Sequence, residues 1–209
     1  MDIKQLDSTY IAHTYNRFPV QLARGRGAEI FDESGKRFID LGSGIGVNVF
    51  GACDEQWRQA VAAQLGLLQH TSNLYYTAPC ARLAQLLCEK TGMRRVFFSN
   101  SGAEANECAI KAARRYALQT KGPGHHTIIT LQNSFHGRTI ATLAATGQDS
   151  FHTDYGPFPE GFVYASATDP AEAEALAEEH GCAAILLEVV QGEGGVNALR
   201  PEFLQRIAR

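Results

Sequence analysis

The sequence predicts an α/β fold organised around a parallel β-sheet, and three observations support this prediction. Over the second half of the chain, short and nearly continuous apolar segments alternate with longer segments of helical periodicity. The apolar segments do not alternate with polar residues, so helices should cover both faces of the sheet. Glycine and small polar residues follow several of these segments, at the sheet edge where such folds bind ligands.

The first 53 residues predict a small, extended N-terminal region, distinct from a larger domain over 54–209. Two short alternating segments, 29–31 and 37–40, flank a turn-forming stretch and predict a hairpin. The strands expected in the larger domain lie at 95–98, 127–131, 162–164 and 183–187. The helices expected there begin after Asp54 and Pro79, at 103, at about 138, at Pro170 and at Pro201. No Gly, Asn or Pro closes the last helix, so we expect a truncated chain.

Composition disfavours several classes of protein. The 209 residues carry a net charge of −3 with no run of Lys or Arg, which argues against a nucleic-acid partner. The five cysteines form no C-x-x-C pair, so we expect neither a disulfide framework nor a metal site. No signal sequence or membrane-spanning apolar segment occurs, and we expect a cytoplasmic protein without a membrane partner.

The segment 99–104, which we call the cradle, predicts an anion site at the start of a helix. Ser101 and Glu104 have the spacing of a capping box. Gly102 and Ala103 are small, so an anion can approach the unpaired backbone N–H groups at the positive end of the helix dipole. A capped helix without a ligand is the alternative.

The segment 97–107, with Lys111 and Arg114, resembles the phosphate-binding segment of the class III, ornithine-type aminotransferases. These enzymes use pyridoxal 5′-phosphate (PLP). The resemblance implies the PLP-dependent transferase fold of the aspartate-aminotransferase type, with a parallel-sheet large domain. The phosphate contacts that it implies are Ser101, Gly102 and Ala103.

The segment 133–139 carries the same resemblance. Phe135 offers an aromatic face for a pyridinium ring, and Arg138 offers a planar fork for a carboxylate. By resemblance, Phe135 stacks on PLP and Arg138 binds the substrate α-carboxylate. His136 also matches, and either a cofactor contact or a role in fixing the backbone is open. A core Phe and a solvated Arg are the alternatives.

The segment 187–195 places a carboxylate where a buried strand meets a glycine-rich loop, which is costly unless the carboxylate is paired. It resembles the family's E-P-x-Q-G-E-G-G segment, with Val189 in place of Pro. The resemblance puts Glu188 beside the cofactor, as a candidate for a catalytic role, and lets Glu193 gate the substrate site. A structural ion pair is the alternative for Glu188.

Two segments of the N-terminal region resemble the family as well. The segment 13–19 is similar to N-T-Y-x-R-x-P of the acetylornithine aminotransferases, which places Tyr15 beside the substrate side chain. The segment 71–75 resembles one that crosses a dimer interface, so the resemblance implies a homodimer.

A lysine that forms a Schiff base with PLP, and an acid opposite the ring nitrogen, are needed for this chemistry. The family places both after the helix that begins at Pro201, so we expect them beyond Arg209 and expect this chain alone to be inactive. The lysines present, none in a suitable strand-end context, are Lys4, Lys36, Lys90, Lys111 and Lys121.

The resemblance implies transamination, with N2-acetylornithine and 2-oxoglutarate as the expected substrates and N-acetylglutamate semialdehyde and glutamate as products, in arginine biosynthesis. Ornithine, succinylornithine and 4-aminobutyrate aminotransferases remain open. An inactive remnant is a rival. So is a nicotinamide-binding oxidoreductase, because 42–46 resembles a dinucleotide fingerprint with its third glycine one place early.

Overall fold

The computed structural model describes residues 2–208. Their contacts form two compact units, Met1–Ala81 and Arg82–Arg209. The helix that follows Asp54 falls within the first unit. The domain boundary expected after residue 53 concerns the domains of the family's fold, and it stays a prediction.

The first unit contains a three-stranded antiparallel sheet of β1 (Leu22–Arg26), β2 (Glu29–Asp32) and β3 (Arg37–Ile39), in that order. The predicted hairpin is confirmed as β2 and β3, and its turn is closed by Asp32, whose carboxylate accepts hydrogen bonds from Ser34 Oγ and the N–H of Lys36. β1 was not predicted. The elements of this unit are α1 (Ile3–Tyr10), β1 (Leu22–Arg26), β2 (Glu29–Asp32), β3 (Arg37–Ile39), α2 (Ser43–Gly46) and α3 (Glu55–Leu65).

The glycine-rich segment after β3 forms α2, a single left-handed turn. All four of its residues have positive φ angles, from 46° at Ser43 to 76° at Gly46. A right-handed helix with its aligned N–H groups, which a dinucleotide site requires, is therefore not formed here.

The second unit contains a parallel sheet, as the alternating pattern predicted. Its central strand is β4 (Thr127–Leu131), flanked by β5 (Phe162–Ala165) and β6 (Cys182–Ile185). α4 begins in the first unit, at Ala78 rather than after Pro79, and ends in the second. The elements are α4 (Ala78–Thr91), α5 (Gly102–Lys121), β4 (Thr127–Leu131), α6 (Ile140–Ala145), a 3-10 turn (Asp149–Phe151), β5 (Phe162–Ala165), α7 (Pro170–Glu179), β6 (Cys182–Ile185), β7 (Val190–Gln191), β8 (Asn197–Ala198) and α8 (Pro201–Ile207).

The prediction of a strand at 95–98 is wrong. The segment forms no ladder with another described segment, and the side chain of Phe97 is 62% exposed. A strand needs a hydrogen-bonded neighbour, which local apolarity does not guarantee. The cradle therefore follows an unpaired segment, not a strand of the described sheet.

β4 is buried along its whole length and supplies the core on both faces of the sheet. Ile128 packs with Ile110 of α5 on one face, whereas Ile129 packs with Phe203 of α8 on the other. Helices on both faces were expected from the continuous apolar pattern of this strand. Within residues 2–208, no helix is both long and apolar enough to cross a membrane.

Candidate active site

The cradle is formed by the N-terminus of α5. Ser101 caps the helix, and its hydroxyl accepts the N–H of Glu104 at 3.2 Å. The Glu104 carboxylate accepts the N–H of Asn100 at 2.6 Å, one residue before the position that a capping box would use. The cap that the sequence predicted is thus present in a slightly shifted form.

The first turn of α5 has room for an anion. The N–H groups of Gly102 and Ala103 have no acceptor among the described residues. A Cβ built on Gly102 would meet nothing within 4 Å. Two unpaired donors beside open space at the positive end of a 20-residue helix are suited to a phosphate.

Residues 132–139, which we call the aromatic turn, follow β4. The Phe135 ring is half-buried, with its centroid 5.6 Å from that of Phe151. The Arg138 guanidinium carbon lies 5.9 Å from the centroid of the Phe135 ring, and Arg138 is exposed. An aromatic face and a cationic fork therefore lie side by side on this turn.

The aromatic turn packs directly against the first turn of α5. Gly137 has a φ angle of +134°, and a Cβ there would lie 2.7 Å from the Cβ of Ala103 and 2.5 Å from Oγ1 of Thr142. Only glycine fits this position without displacing its neighbours. The structure thus brings together the cradle and the turn that carries Phe135 and Arg138.

Glu188, three residues after β6, connects two loops. Its Oε1 accepts the N–H of Phe135 at 2.8 Å, and its Oε2 accepts the N–H of Gly192 at 3.3 Å. The carboxylate therefore fixes the backbone of the aromatic turn. The cofactor contact and the catalytic role expected of Glu188 stay predictions.

His136 is buried, with 4% of its surface exposed. Its backbone N–H donates to Thr146 Oγ1 at 3.0 Å, and its Nε2 has no partner among the described residues. Burial lowers the pKa of the imidazole, and the opposing influence of Glu188 is smaller. The cofactor contact and the backbone-fixing role expected of His136 both stay predictions.

Glu193 lies on the glycine-rich loop beside the aromatic turn. A Cβ at Gly194 would collide with the carbonyl oxygen of Asn133, so the two segments are in close contact. Gln148 Nε2 donates to the Glu193 carboxylate at 2.5 Å and to the carbonyl of Ser134 at 3.1 Å. The structure places Glu193 near the turn, and its gating role stays a prediction.

Two residues of the resemblance, Arg114 and Lys111, lie further along α5 than the cradle. Arg114 donates to the carbonyls of His126 and Glu160, at 3.0 and 2.8 Å, and so ties α5 to the starts of β4 and β5 instead of lining the cradle. Lys111 is an exposed residue of α5. Tyr15 belongs to the first unit and is 61% exposed, and its substrate contact stays a prediction.

Sequence reasoning missed the polar side chains that hold the aromatic turn. The Asn106 amide donates to the carbonyl of His136 at 2.8 Å, and the Glu107 carboxylate accepts from Thr139 Oγ1 at 2.6 Å. Buried Thr142 and Thr146 also bond to this turn. For these threonines, the only signal in the sequence is the spacing of Thr139, Thr142 and Thr146 in an otherwise apolar helical segment.

Comparison with known proteins assigns the family. Residues 10–209 match the family model described as aminotransferase class III. The chain belongs to this family. Class III aminotransferases depend on PLP, and the unpaired N–H groups of the cradle, the Phe135 ring and the Arg138 fork are the kinds of groups that would receive its phosphate, its ring and an amino-acid substrate.

The relatives of this class III chain include enzymes named for acetylornithine and for ornithine. Acetylornithine aminotransferase of Haemophilus ducreyi is 53% identical over 205 residues, covering 98% of this chain and 52% of the relative. A crystal structure of ornithine aminotransferase from Toxoplasma gondii superimposes with a TM-score of 0.92 at 29% identity, covering 98% of this chain and 49% of that one. N-acetylornithine aminotransferase from Stenotrophomonas maltophilia gives 0.77 at 36% identity, covering 97% and 49%. The chain spans about half the length of these relatives.

The class III assignment replaces the nicotinamide hypothesis, which rested on 42–46. Among residues 2–208, no group of three or more His, Cys, Asp or Glu side chains is placed to hold a metal ion.

Proposed function

We propose that this chain is the N-terminal half of a cytoplasmic, PLP-dependent aminotransferase that transfers an amino group from N2-acetylornithine to 2-oxoglutarate in arginine biosynthesis. The packing of the aromatic turn against the cradle, seen at Gly137 and Ala103, is the observation that carries the proposal. It brings the helix end with its two unpaired N–H groups close to the turn that carries the Phe135 ring and the Arg138 guanidinium. The choice of substrate is supported by relatives at 41–53% identity that are named acetylornithine aminotransferases.

The residues of the chain would divide the work as follows. The N–H groups of Gly102 and Ala103 would bind the phosphate with the help of the α5 dipole. Phe135 would cover one face of the cofactor ring and exclude water from it. Arg138 would orient the substrate through its carboxylate. PLP, when bound, supplies the electron sink for breaking bonds at the amino-acid Cα.

The Schiff-base lysine and the acid for the ring nitrogen are proposed to lie beyond Arg209. This part of the proposal is supported by the coverage of the Haemophilus ducreyi relative, of which the chain matches 52%. The 209-residue chain alone should then be inactive. Borohydride treatment in the presence of PLP tests this, because a reduced adduct on one specific lysine of the chain would contradict it.

We also propose that the enzyme is a homodimer. The proposal is supported by the apolar surface of the first unit, where Trp57 is 54% exposed and Tyr75 is 70% exposed. Sedimentation of the complete enzyme, meaning the proposed polypeptide that continues beyond Arg209, should show two copies. A monomer that retains activity would contradict the proposal.

Amino transfer by the complete enzyme tests the function directly. N2-acetylornithine should have the highest kcat/KM, above ornithine, succinylornithine and 4-aminobutyrate. Arg138→Ala should raise KM for both the amino acid and 2-oxoglutarate by roughly ten- to a hundredfold, the cost of losing hydrogen bonds from a charged group. PLP should stay bound, and its loss would mean that Arg138 serves the cofactor.

A further inference from the structure

We propose that Asn106 and Glu107 are positioning residues that hold the aromatic turn at a fixed distance from the cradle. The proposal rests on the proposed function, because a fixed distance between the turn and the cradle matters only if both bind the same cofactor. PLP would contact α5 through its phosphate and Phe135 through its ring, so the helix and the turn must keep a fixed relative position.

The two side chains lie on the face of α5 that meets the turn. Ala103, Asn106, Glu107 and Ile110 follow the i, i+3, i+4, i+7 pattern of a single helix face. Ala103 lies against Gly137, and Ile110 is buried in the core. A helix that only packed would carry apolar residues at all four positions. Two polar residues stand in the middle instead.

Each of the two polar residues bonds to the aromatic turn. Asn106 Nδ2 donates to the carbonyl of His136 at 2.8 Å, and Thr139 Oγ1 donates to Glu107 Oε1 at 2.6 Å. These anchor points bracket Arg138 and lie directly after Phe135. The side chains that would meet the cofactor ring and the substrate are therefore attached to backbone that α5 holds.

Two further supports of the turn come from side chains outside α5. Its N–H groups at Phe135 and His136 donate to Glu188 and to Thr146. These bonds hold the turn to the sheet end and to α6, and they would survive the loss of Asn106. Without Asn106 the turn should stay folded but move relative to the cradle, which separates positioning from general stability.

Hydrogen exchange of the complete enzyme tests the anchoring itself. Asn106→Leu removes the donor at similar size and should speed exchange of the amides in 132–139 by about two- to tenfold, the value of one hydrogen bond. Glu107→Leu should act in the same way, whereas Glu107→Gln keeps an acceptor for Thr139 and should exchange at the wild-type rate. Unchanged exchange in both Leu variants would overturn the proposal.

Thr120→Val is the matched control. Thr120 lies on the far part of α5, where its hydroxyl donates to the carbonyl of Tyr116 at 2.8 Å. Its loss removes a hydrogen bond from the same helix without touching the aromatic turn. Exchange in 132–139 should not change, and an increase equal to that of Asn106→Leu would overturn the proposal by showing that any weakening of α5 has this effect.

The visible circular dichroism of bound PLP in the complete enzyme tests the consequence. Asn106→Leu should change this signal and raise KM for the amino acid about tenfold, while inhibition of PLP binding by inorganic phosphate stays within about twofold of wild type, since the cradle is intact. If exchange is faster in Asn106→Leu but its PLP signal and KM are unaltered, Asn106 has only a structural role, and the proposal that it is a positioning residue is overturned. A wild-type enzyme that binds no PLP would refute the proposed function, and the exchange measurement would then decide alone whether α5 holds the turn.

Discussion

The first unit buries none of its described residues, whereas the second unit encloses β4 completely. The difference follows from the sequence. In the first unit, apolar residues are scattered over short strands and single helix faces, and residues such as Leu41 and Ile45 are almost fully exposed. In the second unit, helices on both faces of a continuous apolar strand exclude water. Apolar burial is the main stabilising term in folding, so the first unit gains less stability from its own core than the second unit does.

The candidate site belongs to the well-buried unit. Five of the seven buried polar residues of the described chain lie in the aromatic turn or bond to it: Ser134, His136, Thr142, Thr146 and Gln191. Buried polar groups are costly unless they are hydrogen-bonded, and apart from the His136 ring the side chains named above are bonded. The unit that carries the cradle and the turn is thus the one that encloses a core.

The two units should differ most in the free energy of unfolding that is lost when an apolar side chain is truncated. Ile129→Ala, at a fully buried position of β4, should lower the free energy of unfolding by about 2–5 kcal/mol. Ile30→Ala, at a half-buried position of β2, should cost less than about 1.5 kcal/mol, because less apolar surface is lost. Urea unfolding of the two variants measures the difference. Equal costs would contradict the contrast.

Glycine replacement should give the next largest effect. Gly137→Ala strains a φ angle of +134° and drives a Cβ against Thr142 and Ala103, so it should cost about 2–4 kcal/mol. Gly35→Ala, in the first unit, meets open space and should cost only the strain of its φ angle of +86°, about 1–2 kcal/mol. Thermal unfolding compares them, and a Gly35 variant as damaged as the Gly137 variant would argue against the close packing of the turn.

Acid should affect the two units over different pH ranges. Burial lowers the pKa of His136 below its ordinary value of 6.5. Between pH 6.5 and the folded pKa, the unfolded chain therefore binds a proton that the folded chain does not bind. The contribution of His136 to stability is therefore complete above pH 6.5 and is lost as the pH falls through the folded pKa. His136→Gln should flatten the loss of unfolding free energy on acidification below pH 6.5.

Asp32 provides the comparison in the first unit. Its hydrogen bond from Ser34 lowers the pKa of the carboxyl from 3.8, so its contribution is present above that pH and is lost as the pH falls through the folded value. Asp32→Asn should therefore leave the profile between pH 5 and 7 unchanged. A change there equal to that of His136→Gln would contradict the assignment.

Loss of a surface ion pair should change the free energy of unfolding least, and by similar amounts in the two units. Glu174 accepts two hydrogen bonds from Arg206 in the second unit, and Glu29 pairs with Arg37 in the first. All four side chains are substantially exposed, so solvent and salt screen both pairs. Glu174→Gln and Glu29→Gln should change stability less than the substitutions above, and by similar amounts. A large effect confined to Glu174 would contradict the expected screening of this pair by solvent.

The sequence predicted what depends on local pattern. β4, β5 and β6 and the helices between them follow from apolar continuity and periodicity, and the meeting of Phe135 with Glu188 follows from two adjacent parallel strands ending at one sheet edge. The segment 95–98 has the same local pattern as β4 but no partner, and strand formation is decided by the partner. Asn106 donates to the carbonyl of His136, and the N–H of His136 donates to Thr146. These bonds join positions that are far apart in the sequence or lie across a turn, so no local pattern marks them.

The affinity of the complete enzyme for PLP, measured for Gly102→Asp and Gly102→Asn by visible absorbance, tests the central claim most directly. Both side chains enter the same open space in front of the first turn of α5, and an acid at this position favours the helix itself. They differ in one negative charge. If the cradle binds the phosphate, Gly102→Asp should bind PLP at least about tenfold more weakly than Gly102→Asn, by charge repulsion. Equal affinities in the two variants would contradict the account.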